Sequence, residues 1–189
     1  MTRKIILASG SPRRKEIMKM AGLDFEVHVK NTSEKHPENA EISSIPAILA
    51  ERKAQAFFDD ITDEIIVAAD TIVILNNQIF EKPQDENEAI AMLSALSGNT
   101  HQVITGVCLL TKTEKIVFSE STFVTFNELT KEEIENYVRT AKPFDKAGAY
   151  ACQESIGAIG IKRFDGDYYN VVGLPINRVY QELKKILLR

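Results

Sequence analysis

Eleven consecutive residues, Ile65 to Leu75, are apolar except for Asp70 and Thr71. A run this long, rich in β-branched residues and followed by Asn76-Asn77, predicts a buried strand. It turns back through Gln78 to Phe80 as a hairpin. A carboxylate inside such a strand is costly unless a cation, a metal or hydrogen-bond donors meet it. The strand could end at Ala69, or Asp70 could cap a bend with Thr71. Asp is disfavoured within strands, however, and strand ends are where catalytic groups emerge. Asp70 is therefore read as a functional carboxylate.

The start of the chain carries the second constraint. Lys4 to Ala8 reads as a buried strand, Gly10 as a tight turn, and Pro12 as the first residue of a helix capped by Ser11. Arg13, Arg14 and Lys15 then crowd the first helical turn, where positive charge opposes the macrodipole. A bound anion would remove that penalty and use the free backbone N–H groups. A solvated basic turn is the plainer alternative.

Along the rest of the chain, Phe25 to Val29 predicts a strand, and Asn31 to Glu41 a polar irregular segment. Ser44 is placed as the cap of a helix reaching about Phe58. Asp85 with Glu88, and Thr130 with Glu133, form capping boxes for two more helices. His101–Thr111 and Ile116–Phe126 read as long strands. Tyr168-Tyr169 is placed at a hairpin, where the pair could stack on a base but more often packs the sheet, and Ile176 to Leu187 shows helical periodicity. Strands alternate with helices early and hairpins dominate late. This predicts an α/β fold with a mixed, elongated sheet, flanking helices and two lobes around a central cleft. The 189 residues are taken as a single domain, 1–189.

Lys53 lies about 40° around its helix from Leu49 and from Phe57, within the apolar stripe. Its stem could snorkel, but a neighbouring carboxylate or phosphate would explain the burial directly. Lys82 would be an ordinary surface lysine, except that the hairpin returns it towards the Asp70 end. A net charge of −4 disfavours nucleic acid, so any phosphate binding must be local. Two cysteines outside metal-ligand spacing suggest free thiols in a reducing compartment, and His36 and His101 have no partner for a zinc site. P-loop, Rossmann and nucleophile-elbow motifs are all absent. No signal peptide or stretch of membrane-spanning length is apparent, so the expected location is the cytoplasm.

Several segments occur together in order: Ser9-Gly-Ser-Pro-Arg-Arg14, Ala68-Ala-Asp-Thr71, Glu81-Lys-Pro83, Leu96-Ser-Gly98, His101 to Gly106, Asp145-Lys-Ala-Gly-Ala-Tyr150 and Val171-Val-Gly-Leu-Pro175. With these, the chain closely resembles the Maf family, septum-formation-inhibitor proteins that act as nucleoside triphosphate pyrophosphatases. The resemblance implies a fold like that of the inosine triphosphate pyrophosphatases. It also implies cleavage between the α- and β-phosphates, giving a nucleoside monophosphate and pyrophosphate. Arg13, Thr71 and Gln153 match positions of the branch that prefers dTTP and UTP. Asp70 matches the proton acceptor, and Ser9, Arg14, Glu34, Lys53, Lys82 and Lys146 match polar cleft positions. Around Gln153, the run Cys152-Gln-Glu-Ser-Ile-Gly replaces the family's more usual glycine-rich stretch.

Residues and resemblance converge on one chemistry. Arg13, Arg14, Lys53 and Lys82 would hold the polyphosphate, while Asp70 with Glu34 would bind Mg²⁺ or Mn²⁺ and orient or deprotonate water. Whether Asp70 is base or metal ligand stays open at this level. Thr71 and Gln153 would read the O4/N3 edge of uracil or thymine. The rival is a non-catalytic nucleotide-binding regulator of septum formation. A homodimer is the expected assembly, because hairpin edges often pair.

Overall fold

The computed structural model describes residues 3–37 and 39–188. One seven-stranded mixed sheet runs in the order β2-β1-β3-β5-β6-β7, with β4 added to β3. The strands are β1 (Ile5–Leu7), β2 (Glu26–Val27), β3 (Ile65–Leu75), β4 (Gln78–Phe80), β5 (Thr100–Leu110), β6 (Lys115–Phe126) and β7 (Ile161–Asp165). β1 pairs in parallel with both β2 and β3, whereas β3–β4 and β6–β7 are antiparallel. Among the described residues seven α-helices accompany the sheet: α1 (Pro12–Met20), α2 (Ile45–Gln55), α3 (Glu86–Leu96), α4 (Lys131–Ala141), α5 (Ser155–Gly160), α6 (Tyr168–Val172) and α7 (Ile176–Leu187). Among the described residues no helix is long and apolar enough to cross a membrane.

The chain divides into two compact units. The first comprises residues 1–70, 105–120 and 173–189; the second comprises 71–104 and 121–172. Strands β3, β5 and β6 each run from one unit into the other. In the first unit, Ile6, Ile66, Ala68, Cys108 and Leu110 of the sheet pack with Ala50, Ala54 and Phe57. Gly106 of β5 permits this packing. A Cβ there would lie 2.2 Å from the backbone nitrogen of Ala47, so only glycine lets α2 begin so close to the strand. The second unit is built on Val73, Leu93, Val103, Phe126, Ile134 and Tyr137.

Local chemistry accounts for most element ends. Ser11 Oγ accepts from Arg14 N–H (3.5 Å), with Pro12 in the first helical position. The Thr130–Glu133 capping box is complete. Asn76 and Asn77 have φ of 50° and 63°, and Leu75 pairs with Gln78, which gives the tight hairpin expected.

Three expectations need correction. Ser44 is not the side-chain cap of α2: it closes a 3-10 turn, Ile42–Ser44, and its hydroxyl donates to Glu41 O at 2.7 Å. Glu88 reaches back to Gln84 N–H (2.7 Å), one residue beyond the cap Asp85, so that box is shifted. Tyr168 and Tyr169 open the short helix α6, where the Asp167 side chain accepts from Tyr169 N–H (2.7 Å) and bends the chain out of the hairpin.

Candidate active site

Six of the ten residues singled out from the sequence fall in the first unit and four in the second. In the first unit they converge. β1 and β3 are parallel neighbours in register Ile5↔Ile65 to Leu7↔Val67. Past the carboxyl end of that paired segment lie Ser9, beyond β1, and Asp70, midway along β3, which continues unbroken to Leu75 rather than ending at Ala69. Asp70 is the first residue of β3 that is not fully buried.

Lys53 on α2 reaches that point. Its Nζ donates to Asp70 Oδ1 at 2.6 Å and lies 3.1 Å from Glu34 Oε1. The Lys53 and Asp70 side chains are only 18% and 15% exposed, whereas Glu34 is 64% exposed. The lysine in the apolar stripe is therefore explained by its carboxylate rather than by snorkelling.

From α1, the Arg14 guanidinium donates to Ser9 Oγ (3.1 Å, Nη1) and to Gly173 O (2.8 Å, Nε). Burial lowers its pKa from the usual guanidinium value; Asp70 and Glu34 oppose that lowering and Arg13 adds to it. Two arginines, one lysine and two carboxylates therefore share one electrostatic neighbourhood.

Arg52 is a residue the sequence did not single out. Its Nη1 donates to Ser33 O (2.6 Å) and to Lys35 O (2.9 Å), holding the backbone on both sides of Glu34. An arginine on the polar side of a helix reads as solvated, and nothing local reveals a clamp on a segment 17 to 19 residues earlier.

In the second unit, Thr71 continues β3 directly from Asp70. Strand pairing ends at Val73↔Phe80. Extending that register would set Lys82 opposite Thr71, but Lys82 lies beyond the strand and is exposed. Glu81 O accepts from Gly148 N–H at 3.1 Å, which ties the hairpin exit to the segment carrying Lys146. Lys146 is 7% exposed, with Asp145 Oδ1 at 2.8 Å and Glu154 Oε1 at 3.3 Å. Gln153 is exposed, and its Oε1 accepts from the Cys152 thiol at 3.5 Å. Neither Cys108 nor Cys152 is in a disulfide, and both are buried.

The oxygen donors bear on a metal. Asp70 and Glu34 meet at one ammonium, and among the described residues no cluster of three or more His, Cys, Asp or Glu could cage an ion. Mg²⁺ is held by one or two carboxylates together with water and substrate phosphates. This pair fits that mode, not an all-protein site.

The family model for Maf-like proteins matches residues 4–186. This chain belongs to the Maf family. Among its relatives, the dTTP/UTP pyrophosphatase of Phocaeicola vulgatus is 49% identical over 185 residues, covering 97% of this chain and 96% of that one. The dTTP/UTP pyrophosphatase of Bacillus cereus is 49% identical over 183 residues, covering 97% and 95%. That of Cytophaga hutchinsonii is 46% identical over 182 residues, covering 96% and 84%. The Maf chain also shares its fold with the Staphylococcus aureus Ham1 protein, at a TM-score of 0.53 and 16% identity, covering 97% of this chain and 99% of that one. The expected mixed α/β architecture with flanking helices is thus borne out.

Proposed function

We propose that this Maf protein hydrolyses dTTP and UTP to the nucleoside monophosphate and pyrophosphate. Family membership and the names of relatives nearly half identical over almost the whole chain support the reaction class and the two substrates. The single observation that carries the chemistry is the Lys53 ammonium held between Asp70 and Glu34 beside Arg14. Simple binding of a polyanion gains nothing from two carboxylates among its cations; hydrolysis needs them.

Arg13, Arg14 and the first turn of α1 take the negative oxygens, and Ser9 steadies Arg14 for that task. Lys53 neutralises charge that builds on the bridging oxygen as it leaves. Asp70 orients the attacking water and accepts its proton; the water oxygen bonds to the α-phosphorus, and the α–β bridging bond breaks with release of pyrophosphate. Asp70 and Glu34 would hold a divalent cation, Mg²⁺ or Mn²⁺, which supplies charge neutralisation and a more acidic water. Thr71 and Gln153 read the pyrimidine edge, since a hydroxyl and an amide can each donate and accept.

Pyrophosphate release from a nucleotide panel with Mg²⁺ tests this. Wild type should turn over dTTP and UTP, and Asp70→Asn should lower kcat by about 10²–10⁴-fold with little change in KM. Equal turnover by both proteins would remove Asp70 from the chemistry. No turnover by wild type, with nucleotide binding retained, would favour a regulator that only binds.

A further inference from the structure

We propose that Tyr137 is a positioning residue for Gln153, and that through it the protein selects the base of its substrate. The inference rests on the reading of Gln153 as the residue that meets the base. A single hydroxyl brackets that glutamine. Tyr137 OH accepts from Ala151 N–H at 3.3 Å and donates to Glu154 Oε2 at 2.6 Å, so it ties the chain two residues before Gln153 and one after. Tyr137 is 2% exposed on α4 and forms part of the core of its unit, which makes the hydroxyl a fixed point.

The other side of the bracket is equally determined. Glu154 Oε1 lies 3.3 Å from the buried ammonium of Lys146, so both carboxylate oxygens have partners. Glu154 N–H donates to Ala151 O at 3.1 Å, closing a turn over residues 151–154. Gly157 then packs on that turn, and a Cβ there would meet Cys152 O at 2.1 Å. Burial and Glu154 both raise the Tyr137 pKa above the usual phenol value, so the hydroxyl keeps its proton and its donor role.

From this frame Gln153 extends an exposed side chain whose oxygen is already engaged by the Cys152 thiol. The amide NH₂ is the end offered to a base. An NH₂ donor suits the O4 carbonyl of uracil or thymine and opposes the N4 amino group of cytosine. Tyr137 therefore has no contact with the substrate in this scheme; it fixes the amide that does.

The test is the ratio of kcat/KM for UTP over CTP, measured on wild type, Tyr137→Phe, Gln153→Ala and their combination. Tyr137→Phe keeps the ring and should lower the ratio about tenfold, mainly by raising KM for UTP. In the Gln153→Ala background it should change the ratio no further. A role confined to stability would lower Tm or the active fraction and leave the ratio intact, which would overturn the inference. If Tyr137→Phe does not fold, Glu154→Gln and Glu154→Ala carry the test. Glu154→Gln keeps an acceptor for the hydroxyl and should retain the ratio, and Glu154→Ala should lose it. Should Gln153→Ala keep the wild-type ratio, the base-reading role fails and the inference fails with it. Should Gln153→Ala lose the ratio while Tyr137→Phe and Glu154→Ala keep it, the inference alone fails.

Discussion

His101 shows how much a single buried side chain can decide. It is 1% exposed, and its Nε2 is 2.7 Å from Tyr150 OH. Phe126 and Tyr150 close around the ring at centroid distances of 5.6 and 5.4 Å. Nδ1 is buried with no hydrogen-bond partner. Such a site cannot accept a second proton cheaply, and burial pulls the imidazole from its ordinary 6.5 to about 4. The unfolded chain binds a proton as pH falls through 6.5, whereas the folded chain does so only near 4. Stability from this residue is therefore complete above the unfolded value and is lost as pH falls across that window. The loss amounts to about 3 kcal/mol. Urea unfolding at neutral pH and at about pH 4 should show His101→Phe losing about 3 kcal/mol less than wild type over that interval. Equal losses in the two proteins would show that His101 is not the group responsible.

At the scale of elements, charged side chains finish what the backbone leaves open. Helix α2 runs into turns whose carbonyls are capped by lysines: Lys30 Nζ donates to Ala56 O at 2.9 Å and Lys112 Nζ to Phe58 O at 2.6 Å. Each lysine also lies over a phenylalanine ring, Lys30 on Phe57 and Lys112 on Phe58. Arg52 does similar work for the segment around Glu34, so Arg52→Ala should lower kcat/KM about tenfold for dTTP and UTP alike. The unfolding free energy should change by less than about 1 kcal/mol, since the bonds lie at the surface. In a Glu34→Ala background the same substitution should have no further effect on turnover; additive losses would refute a role through Glu34. Elements with local signatures were legible in the sequence: the Asn76-Asn77 hairpin, the Thr130–Glu133 box and the eleven-residue strand holding Asp70. The Lys53–Asp70 ion pair was legible only in part: each residue was costly without a partner, but the sequence assigns Lys53 to phosphate and Asp70 to a cation, not to each other. Helices α5 and α6 and strand β7 were not legible, because they are 6, 5 and 5 residues long, too short for a period to show. Ser44 misled because a residue with capping chemistry can equally close a 3-10 turn. Arg52 and Tyr137 were invisible because their partners are distant in sequence and both residue types are ordinary where they stand.

For the molecule as a whole, the decisive feature is that neither compact unit is a continuous stretch of chain. The first unit draws on three segments and the second on two. The boundary falls within β3 between Asp70 and Thr71, within β5 between Ile104 and Thr105, and within β6 between Glu120 and Ser121. A strand melted in one unit therefore releases the strand that anchors the core of the other: Ile66 and Ala68 lie in one core, Val73 and Leu75 in the other, all on β3. We propose that residues 1–189 unfold as one cooperative domain for this reason. The composition makes the claim testable without labels. There is no tryptophan, and of the five tyrosines Tyr137, Tyr150, Tyr168 and Tyr169 belong to the second unit, leaving only Tyr180 in the first. Tyrosine fluorescence thus reports mainly on the second unit, whereas far-UV circular dichroism reports on the whole chain. Urea transitions followed by the two signals should coincide in midpoint and slope. A tyrosine transition displaced from the dichroism transition would mean that the units melt separately. The shared strands would then be too weak a link to make the chain a single domain.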